Sequence, residues 1–278
     1  MAFHTWQVGL DIQNGMLCAV AIKRRRQGWQ LCHWWSHALP LDTLHNGFFQ
    51  HRVSLVALLQ RWRQMLPHRL SLRVGLPPQS VLQHRASWPV RELAEPMRSQ
   101  YVTANAKRLF PLALEELVVD YRTAGKENTL LTMTAIRQET LNDWLACLHQ
   151  ARLFPDVMDI APSALFVLSG ALAIPPGAVL VHRLFDHWLW YGAAQQEPHW
   201  GWCPLQDAED FSHLKSRFFP HVHQCYYSGI DEQTPPAGSF TLPVLDALTF
   251  KHPPLPSQSG ALALAIGLAL RPEEQAWC

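Results

Sequence analysis

The side chains able to do chemistry in this chain are scattered, and their spacing excludes most common mechanisms. His221-x-His223-x-Cys225, with His213 and Cys203 nearby, would set alternate donors on one face of a strand, a geometry that zinc accepts. The spacing matches no standard zinc module. With 15 histidines along the chain, such neighbours arise by chance, so surface and half-buried histidines are expected rather than a metal site. Nucleophilic catalysis lacks a G-x-S-x-G elbow or any ordered Ser-His-Asp or Cys-His set. Asp11 precedes Gln13-Asn14-Gly15, where Asn-Gly is a strong hairpin signal, and an acid there suits the capping of a tight turn. Lys23-Arg24-Arg25-Arg26 is a dense basic run, suited to a solvated hairpin tip or to contact with anionic lipid.

The basic run stands almost alone. Lys and Arg number 23 against 22 Asp and Glu, a net charge of +1, which excludes a broad basic face for coating nucleic acid. The six cysteines form no C-x-x-C pair and no dense framework, so reduced thiols in a cytoplasmic protein are expected. The first residues show no secretory pattern. The uncharged stretch 160–181 is interrupted by Pro175-Pro176-Gly177, too early for a membrane span of roughly 20 residues.

The elements that must position these groups follow from periodicity. Strands are expected at 8–12, 17–22 and 29–35, a helix from Val53 to about Met65, and a strand at 70–76. From Ser80 a β-α-β-β-α block follows: strand 81–88, polar helix 91–109, strands 117–121 and 129–135, amphipathic helix 139–148. The opening pattern then restarts with strand 157–160, buried helix 162–172 and strand 178–181. Trp188 and Trp190 alternate in one strand and Trp200 and Trp202 in the next, so a hairpin is expected to stack the two pairs. A helix is expected near 208–218, a proline-rich loop over 231–259, and an apolar helix at 261–270.

Several of these segments together resemble the PilM family, the actin-like cytoplasmic proteins of type IV pilus assembly. They are Gly9-Leu10-Asp11-Ile12, the run from Phe110-Pro111-Leu112 through Val119-Asp120-Tyr121, Ala135-Ile136-Arg137-Gln138-Glu139, Asp156 to Leu165, and Ala265-Ile266-Gly267-Leu268-Ala269-Leu270. The resemblance is good over 6–172, faint over 173–259 and good again at the end. It implies an α/β fold, actin-like and ribonuclease-H-like, with two lobes around a cleft. The first lobe would comprise 1–79 plus 151–172, an inserted subdomain 80–150, and a shortened second lobe 173–278.

The same resemblance implies a nucleotide site, from which this sequence departs. Asp11 stands where the family's acid faces the metal, but Gln13-Asn14-Gly15-Met16 replaces the first phosphate loop and Cys18 a usual lysine. His182-Arg183-Leu184 replaces Asp-x-Gly in the second loop, and Ser228-Gly229 is a poor substitute for the adenosine-binding glycine pair. Asp11, Gln13 and Asn14 are therefore expected to form a vestigial site with no cofactor, the alternative being an actin-like ATPase or nucleotide switch. The resemblance further implies a non-catalytic scaffold in a type IV pilus-like or DNA-uptake machine. It would sit at the cytoplasmic face of the inner membrane and hold the N-terminal tail of a PilN-like inner-membrane protein. Phe110, Pro111, Tyr121 and Arg137 are the expected tail-binding residues, and Lys23, Arg24, Arg25 and Arg26 the expected point of any contact with anionic lipid.

Overall fold

In the computed structural model, which describes residues 5–89, 93–124, 130–192, 199–230 and 234–272, alternation along β1 (Trp6–Gln13) separates two environments. Val8, Leu10 and Ile12 enter one apolar core, whereas Gly9, Asp11 and Gln13 occupy the opposite face. β2 (Met16–Arg25) and β3 (Gly28–Ala38) continue as an antiparallel meander. A small hairpin, β4 (Leu44–His45) and β5 (Phe48–Phe49), leads to α1 (Arg52–Gln64), and β6 (Leu70–Leu76) returns parallel to β1.

The chain then leaves this sheet. β7 (Val81–Ser87), α2 (Met97–Leu109), β8 (Leu117–Ala124) and β9 (Leu130–Arg137) build a separate three-stranded sheet of order β7-β9-β8, with α2 covering one face. α3 (Gln138–Gln150) and β10 (Pro155–Ile160) lead back, β10 pairing parallel with β6, and α4 (Ala161–Ala171) follows. The second sheet contains β11 (Val179–Arg183), β12 (His187–Gly192), β13 (His199–Pro204), β14 (Cys225–Gly229) and β15 (Phe240–Thr241), with α5 (Phe211–Phe218) between β13 and β14. α6 (Ala263–Leu270) closes the described chain.

Both five-stranded sheets share one topology: a three-strand antiparallel meander followed by two parallel strands, in the orders β10-β6-β1-β2-β3 and β13-β12-β11-β14-β15. That is the ribonuclease-H arrangement used twice, as an actin-like fold requires. The layers run α1/α3, first sheet, α4/α6, second sheet, α5. α6 is apolar on every side because it lies in the middle layer, buried along its whole length. Each of its Leu and Ile side chains contributes roughly 1.5–3 kcal/mol by leaving water. The close approach requires glycine: a Cβ on Gly9 would stand 2.0 Å from the Ala265 carbonyl oxygen, and one on Gly267 would stand 2.2 Å from that of Ala164.

Three expectations need correction. α3, expected as the last element of the inserted block, packs on α1 and buries Trp144, Cys147 and Leu148 in the first sheet's outer core. The polar helix begins at Met97, not Arg91, and Arg91 lies outside the described residues. The tryptophan pairs do not stack on each other. Register sets Trp190 opposite Gly201 and Trp188 opposite Cys203, while Trp200 and Trp202 face Tyr191 and Leu189, so the two pairs lie on opposite faces. Gly201 leaves room for the Trp190 ring, which a Cβ there would meet at 2.2 Å. Cys225–Gly229, where no element was expected, is a strand pairing parallel with β11.

Candidate functional site

The turn between β1 and β2 meets the turn between β11 and β12 directly. Asn14 Nδ2 donates to Asp186 Oδ2 at 2.8 Å, and Asn14 Oδ1 accepts from the Leu44 N–H at 2.7 Å. Gly15, at φ 80°, lies so close to Phe185 that a Cβ would stand 2.2 Å from the ring. Burial would raise the Asp186 carboxyl, but hydrogen bonds from His187 and Asn14 outweigh it and hold it below its usual range.

Behind this contact, Asp11 is buried and accepts from Gln13 Nε2 at 2.8 Å. Desolvation pushes its pKa up to about 7, outweighing the lowering effect of that hydrogen bond. Asp11 therefore bonds to a side chain two residues on, and Asn14 makes the bonds that brace the turn. Cys18 pairs with Asp11 across the ladder, and burial, then the nearby carboxyl, raises its thiol far above the usual range. On the facing sheet, His182 Nδ1 and Ser228 Oγ lie 2.9 Å apart in full burial. Desolvation, then His187, lowers His182 to about 3, so the ring is neutral. Of the sequence-predicted trio, Asp11 and Gln13 are thus bonded to each other, and both amide atoms of Asn14 are bonded to protein. His221 and His223 are exposed while Cys225 is buried, and among the described residues no cluster of three metal-ligating side chains occurs.

A cavity of about 400 Å³ opens elsewhere, where the three-stranded sheet, the β10–α4 connection and the second sheet converge. Its floor is the face of β7-β9-β8 that α2 leaves uncovered. Antiparallel register aligns three cross-strand rows there: Val81, Ile136 and Val118; Gln83, Thr134 and Asp120; Arg85, Thr132 and Arg122. Met158, Ile160 and Phe166 form a second wall, and Tyr191 and Trp200 a third. The walls are tied together. Trp200 Nε1 donates to Gln83 Oε1 at 2.9 Å, Gln83 Nε2 donates to Thr134 Oγ1 at 3.1 Å, and the Phe166 and Tyr191 rings lie 5.5 Å apart. Arg122 reaches Asp159 at 3.5 Å, and Arg271 Nε binds the same carboxylate oxygen at 2.5 Å. The result is an apolar trough with a polar strip and arginine donors at one end.

Of the four expected tail-binding residues, only Tyr121 borders this trough. It does so from β8, while its ring turns to the covered face and stacks near Trp88, centroids 6.3 Å apart. Phe110 is buried in the core beneath α2, its ring edge-on to His84 at 5.2 Å. Pro111 is exposed just past α2, and Arg137 forms an exposed ion pair with Glu116 at 3.8 Å. The residues that sequence reasoning missed are Gln83, Arg85, Thr132, Thr134, Ile136, Phe166 and Trp200. Their one signal is strand parity: Leu131, Met133 and Ala135 are the core side of β9, leaving Thr132, Thr134 and Ile136 for the other face. Lys23 to Arg26 lie at the β2–β3 hairpin tip, outside both regions.

Comparison with known proteins agrees with this architecture. A family model described as type IV pilus assembly protein PilM matches residues 9–173. DNA utilization protein HofM of Escherichia coli (strain K12) is 26% identical over 275 residues, spanning 97% of this chain and 98% of its own length. Among solved structures, the PilM-PilN type IV pilus biogenesis complex contains a chain that matches with a TM-score of 0.72 at 16% identity, covering 95% of this chain and 97% of that one. The cytoplasmic domain of EpsL, an inner membrane component of the type II secretion system of Vibrio cholerae, matches with a TM-score of 0.53 at 11% identity, over 95% and 93% of the two chains. At those identities the two structures testify to the fold alone. The family match covers more than half of the sequence, so this chain belongs to the PilM family of type IV pilus assembly proteins.

Proposed function

We propose that this protein is a non-catalytic scaffold that holds an extended segment of an inner-membrane partner, PilN-like, in the trough between β7-β9-β8, α4 and Trp200. It would act at the cytoplasmic face of the membrane, within a type IV pilus-like or DNA-utilisation machine. The observation that carries the reading is the cavity over the sheet face opposite α2, lined by three aligned rows. An extended peptide seats alternate apolar side chains on Val81, Ile136 and Val118, while Arg85 and Arg122 offer donors to carbonyl oxygens or a carboxylate. A name carried by a related structure, that of a complex of PilM with PilN, supports the choice of partner.

Nucleotide hydrolysis is a poor fit. A triphosphate between the two turns must break the bond from Asn14 to Asp186 and displace Phe185 from Gly15.

Calorimetric titration with a synthetic peptide of the partner's cytoplasmic N-terminus tests the reading. Binding is expected. Thr132→Trp, which fills the trough, and Phe166→Ala, which removes a wall, should each weaken it at least tenfold, about 1.4 kcal/mol, with unchanged melting. Absence of binding by the native chain, or indifference to both variants, overturns it. Mg-ATP is expected to leave the melting temperature unchanged; a saturable rise would restore the nucleotide reading.

A further inference from the structure

The basic hairpin tip adjoins a second cavity that the tail-binding reading leaves unused. We propose that this region, Lys23 to Arg26 with the loop 252–255, binds the headgroups of anionic phospholipids directly. The cavity, about 580 Å³, opens along the edge strand β3, and its lining includes Lys23, Arg25, Trp6, Trp34, His252 and Pro254. No aspartate or glutamate lines it among the described residues. Alternation sends Lys23 and Arg25 to the cavity side of β2, where Arg25 Nε donates to Gln30 Oε1 at 2.6 Å. Arg24 turns the other way and lies over the Trp29 ring at 4.9 Å. Arg24, Arg25 and Arg26 are exposed and Lys23 is half-buried, so four consecutive cations crowd one hairpin tip, on both its sides, in a chain whose net charge is only +1.

Beside these cations the same edge presents apolar surface. Trp34 Nε1 donates to the Pro254 carbonyl oxygen at 2.9 Å, and Phe250 exchanges backbone hydrogen bonds with Trp29 and Leu31. These bonds clamp the loop against β3, with Pro253, Pro254 and Leu255 exposed at its outer side. Clustered cations with amphipathic tryptophans and a short apolar loop suit a negatively charged bilayer surface, where phosphates meet the cations and the loop enters the headgroup layer. The charge complementarity selects an anionic lipid surface over a neutral one.

Co-sedimentation of the full chain with vesicles tests this without any partner present. The protein should pellet with vesicles of phosphatidylcholine mixed with phosphatidylglycerol and not with phosphatidylcholine alone, and should release as salt rises from about 50 to about 200 mM. Lys23→Glu with Arg25→Glu should lower the affinity at least about tenfold. Arg24→Glu with Arg26→Glu should do the same, with melting unchanged in both pairs. Thr132→Trp should leave vesicle binding intact, which separates this surface from the trough. Equal pelleting with neutral vesicles, indifference to both charge reversals, or saturable binding of inorganic phosphate without vesicle binding would overturn the proposal.

Discussion

Asp11 illustrates how a residue's type survives while its surroundings change its chemistry. It is buried on the inner face of β1 and protonates at about 7, far above the ordinary carboxylate range. Its folded-state pKa exceeds its unfolded value, so its contribution favours folding fully below about pH 4 and is lost as pH rises towards 7. Asp11→Asn keeps an acceptor for Gln13 and removes the charge. Urea unfolding at pH 4.5 and 7.5 should therefore show the variant stabilised more at the higher pH, by about 3 kcal/mol beyond its gain at the lower. His182 has the opposite sign: its folded pKa is depressed to about 3, so stability is lost as pH falls below 6.5. His182→Asn should flatten that acid limb. The sequence showed Asp11 as an acid near a turn; its hydrogen bond to Gln13, and the fact that Asn14 braces the turn instead, required the packed structure.

At the scale of elements, the periodic and strongly apolar segments were legible. β1, β2, β3, α1, β6, α4 and α6 follow from alternation or helical spacing, because each commits one side to a core. Elements whose identity rests on a neighbour were not. β14 is five residues long and gains its character from pairing with β11, and the two-residue β15 pairs, among the described residues, only with β14. The Trp188–Trp202 hairpin was visible as alternation, yet its register, which decides what stacks on what, was not. α6 offers a direct test of how tightly the middle layer is packed. Gly267→Leu forces a side chain into the Ala164 backbone, and denaturant unfolding should register a loss of at least about 1–3 kcal/mol. A variant as stable as the native chain would mean that α4 and α6 can separate.

For the whole molecule, the repeated meander-plus-two topology sets two sheets around α4 and α6, and contacts between parts then fix their relative positions. Asn14 to Asp186 ties one pair of turns, and Trp200 to Gln83 ties the second sheet to the three-stranded one. Trp200→Phe keeps much of the aromatic surface and deletes the latter bond. It should cost about 1 kcal/mol in unfolding. Amide exchange in β7 should quicken and peptide affinity should fall several-fold; an unchanged exchange pattern would show that the bond does not hold the trough. The apolar segments, the basic tip and the family resemblance across most of the first two-thirds were all decided locally, by side-chain type and period, and one sequence displays them. The trough was not, because its floor, walls and latch come from Gln83, Thr134, Phe166 and Trp200, far apart in the chain and unremarkable singly. The closed contact between the two turns likewise joins residues 172 positions apart. Periodicity reports which side of an element is buried, whereas a site formed between elements depends on register and layer stacking, and only tertiary packing determines those.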